Sequence, residues 1–271
     1  VSRFSACFLL VFAQLAVGGV AALAVPPFGA IERGFYKSSA SVFLAATLAY
    51  VGGRTALSVR GLGAWGPLEA ALWAGFTLAL AAYLASLWGD RIRLRARAFA
   101  AALVLGVLAL ADSASAYRLG PLASPATLLY PLAFLTGALA LGAVATGMLL
   151  GHWYLIDLGL SLTPMRRLFR YFVATVLLHL AVLALTIGTL ALGPAAASSA
   201  VDALWHDNAM LLALRFVLGP LAALGLGWMI HRTLQIPQTM AATGLFYIAI
   251  LFVLVGELLG RLILYRTSLP L

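Results

Sequence analysis

The stretch Thr239–Leu264, TMAATGLFYIAILFVLVGELLGRLIL, decides the fold. It is apolar on every face of a helix, and two charges, Glu257 and Arg261, interrupt it. A helix of about 20 apolar residues crosses the roughly 30 Å hydrocarbon core of a bilayer. Working outward, seven more runs read the same way, at approximately 5–27, 37–53, 67–89, 97–116, 126–156, 168–193 and 208–231. The second is short, and the fifth is long enough to tilt. The gaps carry Pro26-Pro27, Gly52-Gly53-Arg54, Pro121, Pro125, Pro164, Pro194 and Pro237. Such residues punctuate helices. A β-barrel would alternate apolar and polar residues along short strands. These runs do not alternate, so the expected fold is an all-α polytopic membrane protein: about eight transmembrane helices, short loops and a single membrane domain over 1–271.

Composition supports this. Of 271 residues, 64% are hydrophobic and 9% charged, against about 25% charged in a soluble domain. That excludes an ordinary soluble enzyme, a disordered chain and a nucleic-acid-binding module. The expected partners are the lipid bilayer and other subunits of a membrane complex, with no nucleic acid. Arg3, the apolar run behind it and Ala22-Leu23-Ala24 have the form of a secretory signal; the expectation is a retained first membrane helix. The single cysteine, Cys7, leaves no internal disulfide and no cysteine-based metal cage.

The net charge of +9 is a topology signal. The loops after helices 1, 3, 5 and 7 hold ten basic residues: Arg33, Lys37, Arg91, Arg93, Arg95, Arg97, Arg166, Arg167, Arg170 and Arg232. The other side holds five: Arg3, Arg54, Arg60, Arg118 and Arg266. Basic loops stay in the cytoplasm. Both termini are therefore expected on the non-cytoplasmic side of a bacterial inner membrane. The run Arg91–Arg97 reads as a topology anchor, or as a site for anionic lipid. Helices 1–4 and 5–8 show a faint resemblance at Arg33–Lys37 and Arg167–Tyr171, too slight to define a repeat.

Charges inside a bilayer usually face a protein interior or a wet cavity. Arg215, Glu257 and Asp112 form one candidate group, read either as a proton or substrate station or as a structural ion pair that locks helix 7 to helix 8. Glu257 and Arg261 are four residues apart and share a helix face. Thr243, Tyr247, Ile250, Leu254, Glu257 and Arg261 are spaced as one inward stripe.

The densest polar run is Gly151-His152-Trp153-Tyr154-Leu155-Ile156-Asp157. His152, Tyr154 and Asp157 supply an imidazole, a phenol and a carboxylate, the groups a quinone head would use. Trp153 and Tyr154 also fit an interfacial aromatic belt. A b-type haem would need two imidazoles at matched depth, for which His152 and His179 are the candidates; His206 and His231 lie near opposite surfaces. Gly147–Gly151 and Gly256–Gly260 fit close helix packing. Residues 195–207 read as an interfacial helix with Trp205 at headgroup level. No phosphate-binding Gly loop, HExxH or paired-Cys motif occurs.

In helix count and expected terminus placement the chain resembles the eight-helix anchors of molybdenum reductases of the dimethyl-sulfoxide and polysulfide reductase type. The likeness is architectural and implies no site residue. Three functions follow as expectations. The first is a membrane subunit of an electron-transfer complex, binding quinone and, as a further option, haem b. The second is a proton-coupled transporter or proton-conducting protein built on Arg215, Glu257 and Asp112; it predicts a broken helix, and Gly219-Pro220 is where one would form. The third is a structural subunit without a ligand. As an enzyme acting alone the chain has no catalytic motif to offer.

Overall fold

The computed structural model describes residues 2–61, 65–119, 125–157, 159–193, 195–236 and 238–271. Pro121, Pro194 and Pro237 lie outside the described residues. The helices are α1 (Ser2–Ala22), α2 (Arg33–Val59), α3 (Pro67–Ser86), α4 (Ile92–Ser115), α5 (Leu129–Ile156), α6 (Thr163–Ala191), α7 (Ala195–Asp207), α8 (Ala209–Phe216), α9 (Ala222–Gln235) and α10 (Thr239–Thr267). Eight spans are long and apolar enough to cross a membrane, with α8 and α9 forming one of them. No strand occurs among the described residues. In lipid a helix satisfies its own backbone, which is why the apolar runs adopt it.

Several helices outrun the boundaries expected from sequence. Gly52-Gly53-Arg54 does not end α2, which continues to Val59. A Cβ on Gly53 would lie 2.6 Å from the Leu9 side chain, so this glycine is a packing contact with α1. Arg54 reaches Glu69 on α3 at 3.2 Å. Pro164 falls in the first turn of α6. Proline is tolerated there because its missing N–H would have no intrahelical acceptor. Arg93, Arg95 and Arg97, expected in a loop, lie in the first turns of α4. Trp205 is 54% exposed on the short helix α7.

α5 is the most buried span. Its glycines and alanines let neighbours approach. Gly142 lies against the backbone of Gly18 on α1, Gly147 against Phe246 and Gly151 against Thr243 on α10. The inward face of α10 runs through Thr243, Phe246, Ala249, Val253, Gly256, Glu257, Gly260 and Arg261. Tyr247, placed on this stripe by spacing, is 45% exposed and points outward. The true face follows a helix of 3.6 residues per turn, whereas the expected stripe assumed a 3.5-residue repeat.

Between α8 and α9 the chain makes a π-turn at Val217–Leu221. Gly219 leaves helical geometry there, with φ −79° and ψ −105°. Pro220 explains the break: it has no N–H to donate, and its ring pushes the preceding residue out of the α region. The backbone is interrupted one turn after Arg215.

Candidate functional site

Five helices deliver polar side chains to one buried point, ten residues or about 15 Å from the C-terminal end of α10. Glu257 is at its centre and is 1% exposed. Oε1 accepts from Arg215 Nη2 at 2.8 Å and lies 3.1 Å from His179 Nε2. Oε2 accepts from Gln14 Nε2 at 2.8 Å and from Arg261 Nη2 at 3.2 Å. The same Gln14 Nε2 also donates to the Phe134 carbonyl at 3.1 Å. The Arg261 guanidinium sits over the Phe134 ring, 3.8 Å from its centroid. Removing one partner from such a buried pair typically costs about 3–5 kcal/mol, because the other charge is stranded.

The hydrogen count around His179 defines its state. Thr136 Oγ1 donates its single hydrogen to the Leu132 carbonyl at 2.8 Å. Because the Arg215 guanidinium can only donate, His179 Nε2 accepts and Nδ1 carries the ring hydrogen, donating to Thr136 Oγ1 2.9 Å away. With Nδ1 protonated, Nε2 of the neutral ring is an acceptor, and it receives Arg215 Nη2–H at 2.7 Å. A proton added at Nε2 has an acceptor already placed, Glu257 Oε1. The ring therefore has two partners for one nitrogen, and its protonation state selects between them.

Glycines make room for these groups. A Cβ on Gly137 would stand 2.5 Å from Glu257 Oε2 and 2.9 Å from Gln14 Nε2. On Gly219 or Gly256 it would stand 3.1 Å from Arg215 Nη1, and on Gly260 it would stand 2.8 Å from Arg215 Nε. A cavity of about 10 Å3 adjoins the cluster, lined by His179, Arg215, Gly219, Pro220 and Glu257 among others. This is at the lower limit for one water molecule, and its polar walls suit one. Arg215 Nε, Arg261 Nε, Arg261 Nη1 and Gln14 Oε1 are buried without a protein partner.

Asp112, grouped with Arg215 and Glu257 on sequence, lies elsewhere. It is half-buried on α4, and the carboxylate that acts on it is Glu69. Glu69 anchors a second network: Oε1 accepts from Ser113 at 2.8 Å and Tyr50 at 3.1 Å, and Oε2 accepts from Arg54. Trp73 Nε1 donates to Ser113 at 3.0 Å. Among the described residues the hydrogen-bond partners of Glu69 are on α2 and α4, so this network ties α3 to its neighbours.

Of the residues expected to hold a quinone, Tyr154 and Asp157 lie near enough to interact electrostatically. His152 is exposed. The Tyr154 hydroxyl donates to the Ser161 carbonyl at 2.5 Å. Asp157 Oδ1 accepts from the Gly159 N–H at 3.1 Å, closing the turn after α5. A His152–His179 haem pair does not fit. His179 is level with Thr136, sixteen residues before His152 on α5, which is about 24 Å of helix. Both ring nitrogens of His179 are already engaged. Among the described residues no group of three or more His, Cys, Asp or Glu could hold a metal.

Sequence reasoning missed Gln14, Thr136 and Glu69. Gln14 and Glu69 were findable, since each is a polar residue inside an apolar run. Thr136 was not, because a lone threonine in a membrane helix usually bonds its own backbone.

Compared with protein-family models, curated proteins and solved structures, the chain matches none.

Proposed function

We propose that the protein conducts or couples protons across a membrane, with His179 and Glu257 as the protonation station and Arg215 and Arg261 as its fixed charges. The observation that carries this reading is the shared position of His179 Nε2, 2.7 Å from Arg215 Nη2 and 3.1 Å from Glu257 Oε1. A proton arriving at Nε2 breaks the Arg215 contact and makes the Glu257 one. Arg215 keeps its own bond to Glu257 Oε1 at 2.8 Å and lies against Gly219 and Gly256, beside the interrupted turn. Backbone of this kind is tolerated at membrane depth only when buried in protein or lining a cavity, and π-turns often mark functional sites. A proton on Nε2 therefore acts directly on an α8 side chain packed against α10. The one-water cavity beside the ring supplies a carrier.

In this reading the basic ends of the spans face the cytoplasm and both termini face outward, by the charge-bias rule. That places the station in the outer half of a bacterial inner membrane. The electron-transfer reading, with quinone, haem b and partner subunits, draws no support from where His152, Tyr154 and Asp157 lie.

Proteoliposomes carrying a pH-sensitive dye test the proposal. The wild-type protein should dissipate an imposed pH gradient, and Glu257→Gln should slow it at least about tenfold. Equal rates in both, or a wild-type rate equal to empty vesicles, would sink it.

A further inference from the structure

At the opposite, arginine-rich end of the bundle, two cavities run together between α6 and α9. One, of about 420 Å3, is lined by Arg166, Phe169, Arg170, His231, Leu234 and Gln235. The other, of about 570 Å3, shares Phe169, Arg170 and His231 and continues between Val173, Ala174 and Leu177 on one side and Leu224 and Trp228 on the other. The first is cationic and has no acidic residue in its wall. The second is apolar.

We propose that this groove binds an anionic phospholipid, with its phosphate on Arg166, Arg170 and His231 and one acyl chain along α6 and α9. Three features support that occupant. The cationic side chains are exposed and available: Arg170 makes no hydrogen bond or ion pair among the described residues, and Arg166 uses only Nη2, on the Leu234 carbonyl at 3.3 Å. A guanidinium fork matches phosphate oxygens. His231 is held for the task, stacked on Phe169 with centroids 5.9 Å apart and linked to Gln235 at 3.1 Å. Finally, the length fits. From Arg166 to Leu177 is eleven residues, or about 16 Å, close to one leaflet of a roughly 30 Å core. A free phosphate would use the first cavity alone and leave the apolar groove uncovered. This site is independent of the proton station and stands or falls separately from it.

Trp228 is 65% exposed in the groove and reports occupancy. Its fluorescence, taken as the difference between wild-type protein and Trp228→Phe, is followed in detergent as phosphatidylglycerol with a brominated acyl chain is added. The account predicts saturable quenching that brominated phosphatidylcholine does not reproduce. Removing the guanidiniums in R166Q/R170Q should weaken it about fivefold per arginine. Ala174→Phe, at an exposed position that fills the tail groove, should weaken it with both arginines intact. Equal quenching by the two lipids, no loss in R166Q/R170Q, or displacement by inorganic phosphate would overturn the proposal, the last by assigning the site to a soluble anion.

Discussion

His179 Nε2 lies 3.1 Å from Glu257 Oε1, while the other ring nitrogen is committed to Thr136. That relationship makes Glu257 the acceptor for any proton the ring gains. The same carboxylate pairs with two buried guanidiniums, Arg215 and Arg261. Glu257→Gln should therefore destabilise the fold by about 3–5 kcal/mol, the usual cost of stranding a buried charge. Adding Arg215→Met should restore part of it, since an apolar replacement of a buried pair is often neutral. Thermal unfolding in detergent, run on both single variants and the double, measures the coupling; additive losses would contradict it.

Thr136→Val removes the oxygen that fixes the ring. The His179 Nδ1–H then has no acceptor, which costs about 1–3 kcal/mol. The ring should shift toward the tautomer protonated at Nε2, which donates to Glu257. Thr136→Ser should retain the wild-type tautomer. Nitrogen NMR of histidine-labelled protein distinguishes the two forms.

Gly256 packs against Gly219 at the broken turn, and a Cβ on Gly256 would meet the Gly219 Cα at 2.5 Å. The Gly219 Cα belongs to the backbone, so it cannot yield cheaply. Gly256→Ala should cost about 1–3 kcal/mol by overpacking and slow proton flux more than it lowers the unfolding midpoint. Gly244→Ala on the same helix meets open space and should leave both unchanged. A flux loss equal in the two variants would separate the turn from function.

His152→Ala should leave proton flux and any co-purified quinone within about twofold of wild type, because the ring is exposed and surface changes are usually near neutral. A large fall in quinone content would revive the electron-transfer reading.

Much of the architecture was legible because bilayer spans need no tertiary information: length and apolar content decide them. Boundaries were less so. Gly52-Gly53-Arg54 looked like a stop, yet contacts with Leu9 and Glu69, both distant in sequence, carry α2 onward. Arg215, Glu257 and Arg261 stood out as charges in lipid, and Gly219-Pro220 as a break. The pairing of Glu257 with Arg215 and with Arg261 was readable from the sequence; the place of Asp112 was not. Asp112 was grouped with Arg215 and Glu257 as a charge in an apolar run, but helix rotation and neighbour order put it beside Glu69. His179 was singled out as a haem ligand, whereas its partners are a threonine, an arginine and a glutamate contributed by three other helices.

The most direct test of the central claim is the protonation state of His179 itself. The other three histidines, His152, His206 and His231, are exposed and replaceable, leaving one ring to label with nitrogen-15 in proteoliposomes. The account predicts a neutral ring, protonated at Nδ1, in the absence of a gradient, and a reversible gain of the Nε2 proton as one side is progressively acidified. A ring that keeps a single protonation state throughout that acidification, in protein that still dissipates the gradient, would contradict it.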